Sequence, residues 1–215
     1  MKIRTQENLT DFLNDEIAWR KKELSTIKTN VLKSNQKLEA TAIRSGIVLL
    51  YAHWEGFIKC ASEAYLEYVI SRRLNYGDLT NNFIAISAKQ KIKEFEDSNK
   101  ATIHTQFIEF ILNNHDERIQ INKDNVIKTK SNLNSIILKE IISSIGLDFS
   151  PYETKSKMID EQLLNYRNNV AHGQILQVDA KEYIFLHDEI RKMIDAYKTD
   201  IENAVVQSIF LKKVS

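Results

Sequence analysis

LEATAIRSGIVLLYAHWEGFIKCASEAYLEYVISRRL, residues 38–74, is the stretch on which the fold turns. Within it Ala42, Ile43, Ile47, Leu50, Trp54, Phe57, Ile58, Ala61 and Tyr65 recur mostly at intervals of three and four, the spacing that gathers side chains on one side of an α-helix. That side is too broad for a helix lying on a surface, so the pattern predicts the central and most buried element of a bundle. Asn75-Tyr76-Gly77-Asp78 is turn chemistry and ends it.

Upstream, Leu9, Phe12, Leu13, Ile17, Leu24, Ile27 and Val31 predict an amphipathic helix from about Asn8 into the thirties. Downstream, shorter helices are expected around Ser87 to Glu96 and Thr102 to Leu112. The stretch 113–134 is rich in Asn, Lys and Asp, with Ile119, Ile121, Val126, Ile127 and Leu133 as scattered anchors, and reads as a surface excursion. A helix from about Leu133 to Ile145 should stop at Gly146, and Ser150-Pro151 opens the next element. Met158, Ile159, Leu163, Tyr166 and Val170 form a helical stripe between Tyr152 and Ala171, closed by Gly173. Asp179 can cap a last helix, about Ala180 to Leu211, along which Tyr183, His187, Ile190, Ile194, Tyr197, Ile201 and Ala204 make a packing seam. Five glycines and one proline leave few breakers for a many-turned β fold. The expectation is one all-α domain over residues 1–215, an irregular antiparallel helical bundle.

A chain with 43% hydrophobic and 27% charged residues can bury a core, which excludes a disordered polypeptide. Its formal net charge of +1 provides no bulk attraction for nucleic acid, so any such function must come from a local site. The single cysteine, Cys60, sits among Phe57, Ile58, Ala61 and Ala64 and reads as a small buried hydrophobe. His104 and His115 lie apart, without ligand-spaced partners, so no metal site is expected. The first residues lack the apolar core of a signal peptide and no run reaches membrane-spanning length; a soluble, cytoplasmic protein without membrane contact is expected.

The chemistry is concentrated in Arg167-Asn168-Asn169-Val170-Ala171-His172-Gly173. On a helix Asn168 and His172 share a face one turn apart, while Arg167 is rotated by about 100° from Asn168. Near neutral pH an imidazole can take a proton from an attacking hydroxyl or give one to a leaving oxygen, which suits His172. A guanidinium offers a fixed fork of donors to phosphate oxygens and can stabilise the charge of a phosphorane, which suits Arg167. Asn168 can bond the phosphate or orient the imidazole.

An Arg followed by a polar residue, then a His after a four-residue gap, near the end of the penultimate long helix, resembles the signature of HEPN domains. Within Leu50 to Lys59, an aromatic followed by an acid and an apolar pair also looks like the second helix of that superfamily. The resemblance implies a HEPN-like bundle and a metal-independent endoribonuclease without cofactor, with Arg167, Asn168 and His172 as catalytic residues. It implies an RNA substrate, cleavage through 2′-hydroxyl attack, and a homodimer in which two motifs line a composite active site. It also implies a toxin or anti-phage defence role, with a cognate antitoxin or defence partner. His53, Glu55 and Tyr166 are candidate positioning or substrate-binding residues.

Plainer readings stand beside these. Arg167 can pair with Glu153, Asp160 or Glu161 as a solvated helix residue, and His172 can serve only as a helix end. His53 can be a core-edge residue, Tyr166 and His187 packing residues, and Glu55 a solvated acid. Lys21-Lys22, Arg72-Arg73 and Lys89 to Lys93 read as solvated faces that could guide an RNA backbone. A non-catalytic HEPN-like module binding RNA, a nucleotide or a partner protein is the second functional reading, and a purely structural bundle the third.

Overall fold

The computed structural model describes residues 2–123 and 126–213, apart from the side chains of Gln90, Lys91 and Glu94. Its helices are α1 (Gln6–Lys33), α2 (Gln36–Ser71), α3 (Asn81–Glu96), α4 (Ala101–Asn113), α5 (Ser135–Ser144), α6 (Ser150–Glu153), α7 (Asn165–Ala171) and α8 (Ala180–Val206). Isolated β-bridges occur among the described residues, but no strand. No helix among them is long and apolar enough to cross a membrane.

The caps explain where the helices begin. Asn35 separates α1 from α2, and its side chain accepts from the backbone N–H groups of Lys37 and Leu38. Asn134 accepts from Ile137 N to start α5, and Asp179 from Glu182 N to start α8. Such caps each stabilise a helix by about 1 kcal/mol. Thus α1 and α2 run back against one another, with α8 packed on both.

Helix α2 is the central element. Leu50, Trp54, Phe57, Ile58, Ala61 and Tyr65 are fully buried, as the apolar width of residues 38–74 predicts. Leu9, Leu13, Leu24 and Val31 of α1 meet it in the same core cluster, as do Tyr183, Ile190, Tyr197 and Ile201 of α8. Gly46 permits a close approach of α2 and α8: a Cβ there would lie 2.8 Å from the Tyr183 ring. His187 is buried in the seam, with Nε2 3.2 Å from Leu24 O and Nδ1 2.9 Å from Asp188, a packed role that needs no reaction.

Two features depart from simple helical periodicity. The expected helix from Tyr152 to Ala171 is broken after α6 and resumes through a π-helical segment, Met158–Leu164, before α7. A π turn adds a residue to the ring of backbone hydrogen bonds and so rotates everything after it. Ile159, Leu163 and Leu164 are thereby buried, and the motif helix enters at an altered phase. The described residues of 114–134 form no helix, but Ile127, Thr129 and Leu133 are buried, and Ile119 N donates to Leu74 O. This irregular segment is pinned to the end of α2 and then passes beside α7.

Candidate functional site

Helix α7 ends in a Schellman motif built around the sequence motif itself. Gln174 N donates to Asn169 O at 2.8 Å and Gly173 N to Val170 O at 3.1 Å, with Gly173 at φ 70°. That left-handed conformation costs an L-residue with a side chain roughly 1–2 kcal/mol, which is why glycine closes the helix. His172 is the C-cap residue and its side chain is exposed; its N–H donates to Asn168 O at 2.9 Å. Helix geometry puts Asn168, half-buried, one turn behind it on the same side.

Arg167 points elsewhere around the helix, and the surrounding elements hold it there. Its guanidinium carbon lies 4.2 Å from the centre of the Tyr51 ring, and Nη2 donates to the carbonyl of Ser131 at 2.5 Å. Nε is shielded from solvent without a hydrogen-bond partner among the described residues. Cation–π contact and the carbonyl bond hold a long, flexible side chain in one orientation. None of the acids that helical spacing offered as partners takes this role. Asp160 accepts from Ser135 N and Oγ at 2.7 and 2.6 Å, and Glu161 pairs with Lys157.

Tyr51 is the site residue that sequence reasoning missed. Its phenol oxygen accepts from Leu133 N at 2.6 Å, tying the irregular segment to α2 directly above the arginine. Burial raises the phenol's pKa, against the pull of the Leu133 N–H and of the Arg167 guanidinium beside it. The available signal was its position one turn before Glu55 on the same side of α2. Glu55 is half-buried and close enough for its charge to raise the Tyr51 pKa further, and among the described residues no hydrogen bond joins it to α7.

His53 belongs to the opposite side of α2. It is buried against α1, its ring 5.2 Å from Trp19 and Nε2 3.0 Å from Glu23. Burial lowers its pKa; the Arg20 charge acts in the same direction and Glu23 against it. The structure therefore separates His53 from the motif. Two residues along a helix differ by about 200°, so His53 cannot share a side with Tyr51 and Glu55. Tyr166 is half-buried on the core and donates its hydroxyl to Glu182 of α8. Burial first, and then that carboxylate, push its pKa up to about 12, so it supports the packing of α7 on α8.

A second cation frames the other end of the motif. Arg44 of α2 donates from Nη1 to Gln174 O at 2.5 Å, binding the turn that follows His172. Tyr51 lies seven residues further along, on the same side of α2, so α2 lies alongside the whole motif over about 10 Å.

This bundle, with Arg167 and His172 near the end of its penultimate long helix, is the arrangement of a HEPN-type domain. The family described as RiboL-PSP-HEPN matches residues 15–203, most of the chain, and the protein belongs to it. The match runs from within α1 to within α8, so it covers the bundle and the motif together. No curated protein and no solved structure matches.

Proposed function

We propose that this HEPN-type domain is a metal-independent endoribonuclease in which Arg167, Asn168 and His172 act on RNA. One observation carries the reading: the motif's imidazole stands in water at the end of α7, while its guanidinium, five residues earlier, is oriented by Tyr51 and Ser131. In the reaction His172 removes the 2′-hydroxyl proton and O2′ attacks phosphorus. The P–O5′ bond breaks and the departing oxygen receives a proton, leaving a 2′,3′-cyclic phosphate and a 5′-hydroxyl. Arg167 stabilises the charge of the five-coordinate phosphorus, and Asn168 holds the phosphate or the imidazole.

One copy of the motif supplies one imidazole, whereas the reaction uses a base and an acid. A homodimer with a composite site would supply both. Exposed Leu38 and Leu49 on α2, Ile175 after the motif and Phe185 on α8 are consistent with a second copy near this end of the molecule. A growth-inhibiting toxin or anti-phage effector, restrained by a cognate antitoxin or defence partner, is the biological role we attach to this activity.

Purified protein in excess chelator should cut RNA and leave cyclic phosphate ends. His172→Ala should abolish both cleavage and growth inhibition without changing the melting curve, and Arg167→Ala should abolish them while also lowering the melting temperature, because it removes the Tyr51 and Ser131 contacts. Wild-type cleavage by the double variant would remove both residues from the mechanism. Tight RNA, nucleotide or protein binding without any product would favour a non-catalytic module instead.

A further inference from the structure

The irregular segment reaches the motif through an unusual piece of backbone. Lys130 and Ser131 both lie in the left-handed region, at φ 55° and 52°, although neither is glycine. Four contacts hold this conformation: buried Ile127 and Thr129 before it, Leu133 N on the Tyr51 hydroxyl after it, and the Ser131 carbonyl on Arg167. The same alternation that buries Ile127 and Thr129 turns Lys128 and Lys130 into solvent. Neither lysine has a hydrogen-bond or ion-pair partner among the described residues. Their loop ends on the catalytic guanidinium, and at the far end of the motif Arg44 stands against the turn beyond His172.

We infer that Lys128 and Lys130, on the loop latched to Arg167, form with Arg44 a phosphate-binding track that carries single-stranded RNA through the motif. The inference rests on the ribonuclease reading for its choice of RNA. It adds the residues that grip the strand on either side of the scissile phosphate. Arg44 at one end of the motif and, about 10 Å further along α2, the Arg167-latched loop with its two lysines at the other set cations on both sides of it, which suits a flexible single strand. The ring of Tyr51 is covered by Arg167 and does not offer a stacking platform. Grip through phosphates carries no base information, so binding should be strongly salt-dependent and nearly indifferent to sequence. Glu55, one turn beyond Tyr51, sets an opposing charge at the loop end of the track.

The test uses fully 2′-O-methylated single-stranded RNA, which lacks the attacking hydroxyl, with affinity followed by fluorescence anisotropy across a salt series. Each lost phosphate contact should reduce the slope of log affinity against log salt by about 0.7, so Lys128→Ala/Lys130→Ala should lose about 1.4. Arg44→Gln should reduce the slope further, and Arg44→Lys should restore it. Lys89→Ala/Lys93→Ala, on exposed positions of α3, should keep the wild-type slope. An unchanged slope in the loop variant, an equal loss in the α3 variant, or no binding by wild type would each overturn the track. If wild type cuts ordinary RNA while the loop variant binds like wild type, the track fails and the nuclease reading stands. If wild type cuts nothing but shows the loop-dependent slope, the track stands and the nuclease reading fails.

Discussion

Helices α5 and α7 stop in the same way and end in opposite surroundings. Both close with a Schellman motif on a left-handed glycine, Gly146 at φ 75° and Gly173 at φ 70°, with matching pairs of backbone hydrogen bonds. At α5 the C-cap residue is Ile145, fully buried, and the residue after the glycine is Leu147, packed on the core. Asn82 plugs that end by donating to Ser144 O at 3.0 Å. At α7 the corresponding positions are His172 and Gln174, both exposed, and nothing lies within 4 Å of where a Gly173 side chain would begin. Identical backbone chemistry thus serves packing at one end and presentation at the other.

The largest expected effect tests that difference through activity. His172→Ala should lower RNA cleavage by about 10²- to 10⁴-fold, the usual contribution of a positioned acid or base, while leaving stability within about 0.5 kcal/mol. Cleavage kinetics and urea titration read the two quantities separately. Ile145→Ala, at the equivalent position of α5, should do the reverse. It should cost about 2–5 kcal/mol of stability and leave the cleavage rate of the folded fraction unchanged. If His172→Ala proves as destabilising as Ile145→Ala, the imidazole is packing the helix end and the contrast is false.

The two glycines sharpen the comparison at smaller scale. Gly173→Ala meets only the conformational penalty, roughly 1–2 kcal/mol by urea unfolding. Gly146→Ala should be worse, because its Cβ would also approach Asn82 Nδ2 to 3.0 Å. The smallest effect concerns His53, on the side of α2 away from the motif. Its folded pKa is lowered below the ordinary 6.5, chiefly by burial, so the unfolded chain binds more protons as the medium acidifies. The stability it contributes is present above about pH 6.5 and declines below it. His53→Gln should therefore flatten the fall in melting temperature between neutral and mildly acidic buffer, and should leave cleavage in place. Loss of cleavage would return His53 to the site.

The sequence by itself determined the long helices and the core, though not the break and π turn between Tyr152 and Ala171. Periods of three and four along residues 38–74 and along the last helix, with glycine, asparagine and aspartate at the ends, are local instructions that each segment carries in its own residues. The motif's residue types were legible for the same reason, as were the glycine that closes α7 and the packed role of His187. Tertiary structure alone decided how the motif is surrounded. The π turn before α7 reset which side chains face the core, so phases read from a uniform helix did not carry Arg167 to its partners. Those partners, Tyr51 and the Ser131 carbonyl, come from 116 and 36 residues away, respectively, in the numbering of one chain. A carbonyl belongs to every residue, so no side-chain pattern could single out Ser131. The separation of His53 from Glu55 follows from helix rotation, but which of the two sides meets α1 was settled only when the helices packed.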